Sequence, residues 1–148
     1  MNKSLVTISS TATAKEAVIL MEEKRFRHLP VTNGGDQNII GIVSKRDLEF
    51  LAVSRNLAVR DFMSSPVQTI RQDEPIRMAI YRMVEKKISS LIVVDSTDSA
   101  VGIITTDDLL WHLAYTLKND AKASQPLFNF ANLQFVGEIA TKLSILGI

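Results

Sequence analysis

A chain of 148 residues, 46% of them apolar and 22% charged, suffices for one core or for two small halves sharing an interface. The formal charge of +1 argues against a nucleic-acid or anionic-membrane surface, and the absence of cysteine rules out a disulfide scaffold and thiol chemistry. Two histidines without cysteine make a poor zinc set, no apolar run reaches the roughly 18 residues of a membrane span, and no signal peptide is read, so a soluble cytoplasmic protein is expected.

In chain order, "LVTI" at 5–8 reads as a short strand. "TAKE" at 13–16 is a capping box, and Ala14, Ala17, Val18 and Met21 follow at the i, i+3, i+4, i+7 spacing of a helix face. Two β-rich runs, "LPVT" and "IIGIVS", flank the turn "NGGD", and "KRDLEFLAVS" closes the unit as a second helix. The same order then returns. "VQTI" is a strand, and Asp73 with Pro75 marks a helix start. Ile76, Ala79, Ile80 and Met83 form that helix's apolar face, "LIVVD" and "AVGIITT" are strands, and "DDLLWHLAYT" is a helix. Sliding the chain by 62 lays Thr7 on Thr69, Ala17 on Ala79 and Met21 on Met83. One residue is lost in the polar turn, after which Gly41 meets Gly102 and Asp47 meets Asp108.

The chain is therefore read as two β-α-β-β-α repeats of α/β (α+β) class, 1–56 and 57–114, packed as a pseudo-twofold pair because neither copy alone covers both faces of its sheet. At the 62-residue offset Met1 falls on Met63, so the first copy is read as lacking the lead-in that Val59 to Phe62 supply to the second. Residues 115–148 read as a polar linker and an amphipathic C-terminal helix with Phe135, Ile139, Leu143 and Leu146 on one face, to be buried on its own subunit or on a partner. Trp111 is assigned to packing in the core or at a subunit interface.

The motif that ends both repeats is Gly, two β-branched apolar residues, a hydroxyl residue, two variable positions and Asp: "GIVSKRD" at 41–47 and "GIITTDD" at 102–108. A hydroxyl three residues ahead of a carboxylate is also a plain helix-start signature. The same groups suit a nucleotide, with the hydroxyl and helix-start amides for phosphate and the carboxylate for vicinal ribose hydroxyls. The paired motifs, together with "RHLPV" in the first copy, resemble the CBS domain, named after cystathionine β-synthase, over residues 1 to about 114. The resemblance implies a regulatory module that holds an adenosine ligand (AMP, ADP, ATP or S-adenosylmethionine) between the repeats, with no required cofactor and no metal. It also implies a homodimer stacked through exposed helices, with a regulated protein partner that the sequence does not identify.

By the same resemblance, one composite site combines Ile103, Thr105 and Asp108 with Thr7, Ile8, Arg27 and His28. The other combines Ile42, Ser44 and Asp47 with Thr69, Ile70 and Ser89. Arg27 and His28 are the expected phosphate partners, which points to the Asp108 site as the stronger for phosphate, against the local charge of Lys45, Arg46 and Asp107. Two other classes stand beside this reading: a structural dimerisation module with empty clefts, and a nucleotide-hydrolysing enzyme. Against the enzyme, the sequence has no Gly-rich phosphate loop, no carboxylate cluster for magnesium and no nucleophile beside a base.

Overall fold

The computed structural model describes residues 5–34, 38–49 and 57–118. The first repeat contains β1 (Ile8–Ser9), α1 (Ala14–Lys24), β2 (His28–Thr32), β3 (Ile39–Ser44) and α2 (Lys45–Glu49). After a 3-10 turn at Val59–Asp61, the second contains β4 (Thr69–Arg71), α3 (Ile76–Lys86), β5 (Ser90–Val94), β6 (Ala100–Thr105) and α4 (Thr106–Leu117). Each repeat forms its own three-stranded sheet, β1-β2-β3 and β4-β5-β6, the first strand pairing parallel and the last antiparallel to the middle one. The ladder register shifts at Val31/Thr32 in one sheet and at Val93/Val94 in the other, positions 62 apart. The duplication thus extends to the irregularities of the pleat.

Local chemistry accounts for the helix ends. Thr13 and Glu16 form the expected capping box, the Thr13 amide donating to Glu16 Oε2 at 2.7 Å and the Glu16 amide to Thr13 Oγ1 at 3.2 Å. Arg25 and Lys87 close α1 and α3 in the left-handed conformation, at φ 55° and 54°, each amide bonding back to carbonyls of the last turn. At the second helix start, Pro75 is the N-cap and has no side-chain cap bond, so the marker at Asp73 does not act as one.

The first core gathers Ala14, Ala17 and Met21 of α1 against Leu29, Val31 and Val43. Fully burying such a Leu or Val contributes roughly 1.5–3 kcal/mol each. Val59, Phe62 and Met63 complete it from the connection between repeats. That connection is clipped down by backbone bonds: the Val59 amide to the Ala12 carbonyl at 2.8 Å, and Ile42 and Ser64 reciprocally at 3.0 and 2.8 Å. The second core is smaller, with Ile70, Ala79, Met83, Leu91 and Val93. Ile76 and Ile80, expected to be buried with Ala79 and Met83, are instead 42% and 43% exposed. Their counterparts in α1 are Ala14, buried, and Val18, half-buried, close to where residues 57–63 run.

The expected strands "LVTI" and "VQTI" are paired only from Ile8 and Thr69 onward. Helix α4, Thr106–Leu117, exceeds the expected "DDLLWHLAYT" by one residue at each end. Chain contacts divide after Leu110, and the second unit is described only through Lys118. The expected linker lies mostly, and the amphipathic terminal helix wholly, outside the described residues. Trp111, expected to pack in a core or at a subunit interface, is 77% exposed within this chain. No described helix is long and apolar enough to cross a membrane.

Gly41 sits where a side chain has no room, because a Cβ there would fall on the Met63 thioether. The close approach at this glycine is made by a side chain from the inter-repeat connection. Gly41→Ala should destabilise the protein by about 1–3 kcal/mol. In denaturant melts, the double variant Gly41→Ala/Met63→Ala should lose less stability than the two single losses combined, since removing the thioether relieves the clash.

Candidate functional site

Both Gly-to-Asp motifs fold as a reciprocal cap at a strand-to-helix junction. Ser44 donates from its hydroxyl and amide to Asp47 Oδ2 at 2.7 and 2.8 Å, and the Asp47 amide returns a bond to Ser44 Oγ at 3.3 Å. Thr105 and Asp108 repeat this at 2.7, 2.8 and 3.3 Å. Partial burial pushes the Asp108 carboxyl up, but the bonds from the Thr105 hydroxyl and amide oppose it and the net displacement is downward. The plain helix-start account of the motif is therefore realised in full. It does not exclude a ligand, because Asp47 and Asp108 also line two separate clefts between the repeats.

The cleft on Asp47, about 420 Å³, joins Ile42 and Ser44 of the first repeat to Ile88, Ser89 and Ser90 of the second. That on Asp108, about 270 Å³, joins Ile103 and Thr105 to Phe26, Arg27 and His28. In both, a motif isoleucine shares the apolar part of the wall, with Pro66 and Val67 in the first cleft and with Val6 and Pro30 in the second. The expected strand residues do not line either cleft. Ile8 and Ile70 are buried in the two cores, while Thr7 and Thr69 are exposed, the Thr69 carbonyl accepting a bond from Arg82. The wall comes from slightly earlier residues, Val6 in one cleft and Val67 and Gln68 in the other. Along a strand, adjacent side chains point to opposite faces, and the apolar members of both pairs went to the cores.

Arg27 and His28 are not dedicated to the Asp108 cleft, since with Asp107 they line both. Arg27 Nη1 donates to both Asp107 oxygens, at 3.1 and 3.3 Å, across the repeats. The pair is 64% and 52% exposed, so it is worth about 0–1 kcal/mol and yields readily to a better anion. His28 Nε2 lies 2.8 Å from the Ser89 hydroxyl. Burial, and then the Arg27 charge, push the His28 pKa below its usual 6.5, which leaves a neutral ring near pH 7. His28 therefore offers phosphate a hydrogen bond and no charge.

Two cations absent from the sequence-based set also line the clefts, Arg25 that on Asp108 and Lys87 that on Asp47. Both are the left-handed residues closing α1 and α3, and their sequence signal is a basic residue at the same repeat position. Among the described residues no group of three or more His, Asp or Glu side chains is placed to hold a metal ion.

Comparison with known proteins agrees with this architecture. The model of the CBS domain matches residues 1–51 and 59–115, and the chain belongs to that family. Protein MK0525 of Methanopyrus kandleri is 33% identical over 131 residues, covering 83% of this chain and 66% of its own length. A homoserine O-acetyltransferase of Methanohalobium evestigatum is 31% identical over 109 residues, 74% of this chain but 22% of the enzyme. The chain thus spans only part of these relatives. Among solved structures, the CBS domain pair of protein MJ0100, in complex with 5'-methylthioadenosine and S-adenosyl-L-methionine, superimposes with a TM-score of 0.70 at 25% identity. It covers 78% of this chain and 93% of that one.

The neutral His28 sets a pH dependence. With a folded-state pKa below the unfolded value, its contribution to stability is whole above about pH 6.5 and is lost as pH falls through the lowered value. Between about pH 7.5 and 5.5 the melting temperature of the wild type should therefore drop further than that of His28→Gln.

Proposed function

We propose that this CBS pair is a regulatory module that binds adenosine derivatives in the clefts between its repeats and performs no catalysis of its own. The observation that carries the reading is that each cleft unites a motif isoleucine, hydroxyl and aspartate with the corner that opens the middle strand of the other repeat. In this reading the isoleucine presses on the adenine face, the aspartate accepts from the ribose hydroxyls, and the cations at the rim face the phosphate or its replacement. The ligands of the MJ0100 pair, both built on adenosine, support the class. The enzyme relatives match over a small share of their length, which fits a module appended to varied activities.

A panel of AMP, ADP, ATP, S-adenosylmethionine and GTP in thermal-shift measurements tests this. Saturation at about 100 times Kd should stabilise the fold by about 2.7 kcal/mol, with adenine compounds ahead of GTP. No shift with any adenosine compound at millimolar concentration would leave the structural module with empty clefts as the better account.

The same reading makes the module a cytoplasmic homodimer. Helix α4 supports self-association, since Trp111 and Tyr115 are 77% and 76% exposed and Leu110 and Leu113 are also largely open. In light scattering, Trp111→Glu/Tyr115→Glu should run as monomer where the wild type runs as dimer.

A further inference from the structure

We propose that the two clefts are sorted by charge, the one on Asp47 taking a phosphate-bearing adenosine ligand and the one on Asp108 taking an adenosine derivative without phosphate. The inference rests on the adenosine-binding reading and divides it between the sites.

The asymmetry originates at the two variable positions of the motif. In the first copy they are Lys45 and Arg46, and both line the cleft on Asp47. In the second they are Thr106, which lines the cleft on Asp47, and Asp107, which lines both clefts, so neither brings a cation to the cleft on Asp108. The helix-closing cations do not alter the comparison, because Lys87 serves one cleft and Arg25 the other. Nor does the shared ledge, where Arg27 is matched by Asp107 in the same wall and His28 is neutral. What remains is Lys45, Arg46 and Lys87 against Asp47 on one side, and Arg25 against Asp108 on the other.

A phosphate-bearing ligand therefore meets a surplus of positive charge in the first cleft, where Lys45 and Arg46 add two cations that have no counterpart in the wall of the second. Charge-assisted bonds to phosphate are roughly twice as strong as neutral ones, and the surplus also raises the local concentration of an anionic ligand. Size acts in the same direction, with about 420 Å³ against about 270 Å³. The second cleft keeps the isoleucine, hydroxyl and aspartate for a nucleoside and has no counterpart of Lys45 and Arg46 to hold a phosphate at the 5' position. Arg27 was the sequence-based reason for assigning phosphate to this second cleft. That reason lapses because Arg27, with Asp107 beside it, lines both clefts and so does not distinguish them.

Exchanging the variable residues tests the assignment. Calorimetric titrations would use ATP and 5'-methylthioadenosine on the wild type, on Lys45→Thr/Arg46→Asp and on Asp107→Arg, with Asp47→Asn and Asp108→Asn locating each ligand. The first exchange should weaken ATP about tenfold or more, with a larger effect at low salt, and leave methylthioadenosine unchanged. The second should create a second ATP site, a gain that a misfolded variant cannot mimic. Asp47→Asn should affect ATP, and Asp108→Asn methylthioadenosine. Loss of ATP binding in Asp108→Asn alone, or ATP affinity indifferent to both exchanges, would overturn the charge sorting while leaving adenosine binding intact. A wild type that binds neither compound would overturn the adenosine reading itself.

Discussion

A strand cannot run directly into a helix without leaving the first amides of the helix unpaired, and this protein meets that constraint in the same way twice. Ser44 with Asp47, and Thr105 with Asp108, bond reciprocally within 3.3 Å. Each carboxylate is thereby drawn back over the end of its strand, into the wall between repeats, and not out along the helix. The Ser and Thr hydroxyls are held in the same place, and the isoleucine two residues before each stays on the cleft side of its strand. Sheet, helix and site are coupled through this one junction. A group that caps a helix and also faces a cleft is no contradiction, because the cap itself holds the carboxylate in the cleft wall.

The repeats were legible in the sequence because duplication writes the same periodicity twice. The capping box at Thr13 and Glu16 was legible because it is a local bond between residues three apart. The motif residues of both sites lie on cleft walls, as do Arg27, His28 and Ser89 from the opposite repeats. The strand residues did not follow, because an alternating pair such as Thr7 and Ile8 does not state where pairing begins. The structure sends Ile8 inward and lets Val6 reach the cleft. The exposure of Ile76 and Ile80 was hidden for a related reason. An apolar face marks a surface that prefers burial, and whether a segment crosses it is decided by tertiary connection.

The most consequential contact was out of reach of sequence reasoning altogether. Arg27 and Asp107 are 80 residues apart, and their pairing depends on two separate turns facing each other across the repeats. Seen alone, Arg27 is a phosphate ligand and Asp107 a repulsive neighbour. Together they are nearly neutral, weakly bound and shared by both clefts. The charge that differs between the clefts then comes from residues that look least informative in the motif, its two variable positions.

The connection between the repeats shows that period and folding unit are out of phase. Residues 57–64 begin the second copy in sequence, yet their backbone is laced to Ser10, Ala12 and Ile42, and Val59 is fully enclosed in the first core. The joint is a lap joint, in which the start of one half overlies the other. A fragment cut at the sequence boundary would leave the first half with a hole where Val59 belongs and an open furrow beside Gly41. The second half would carry a stray apolar tail. Dissection at the end of the overlap, after residue 64, keeps the first half's hydrophobic interior whole.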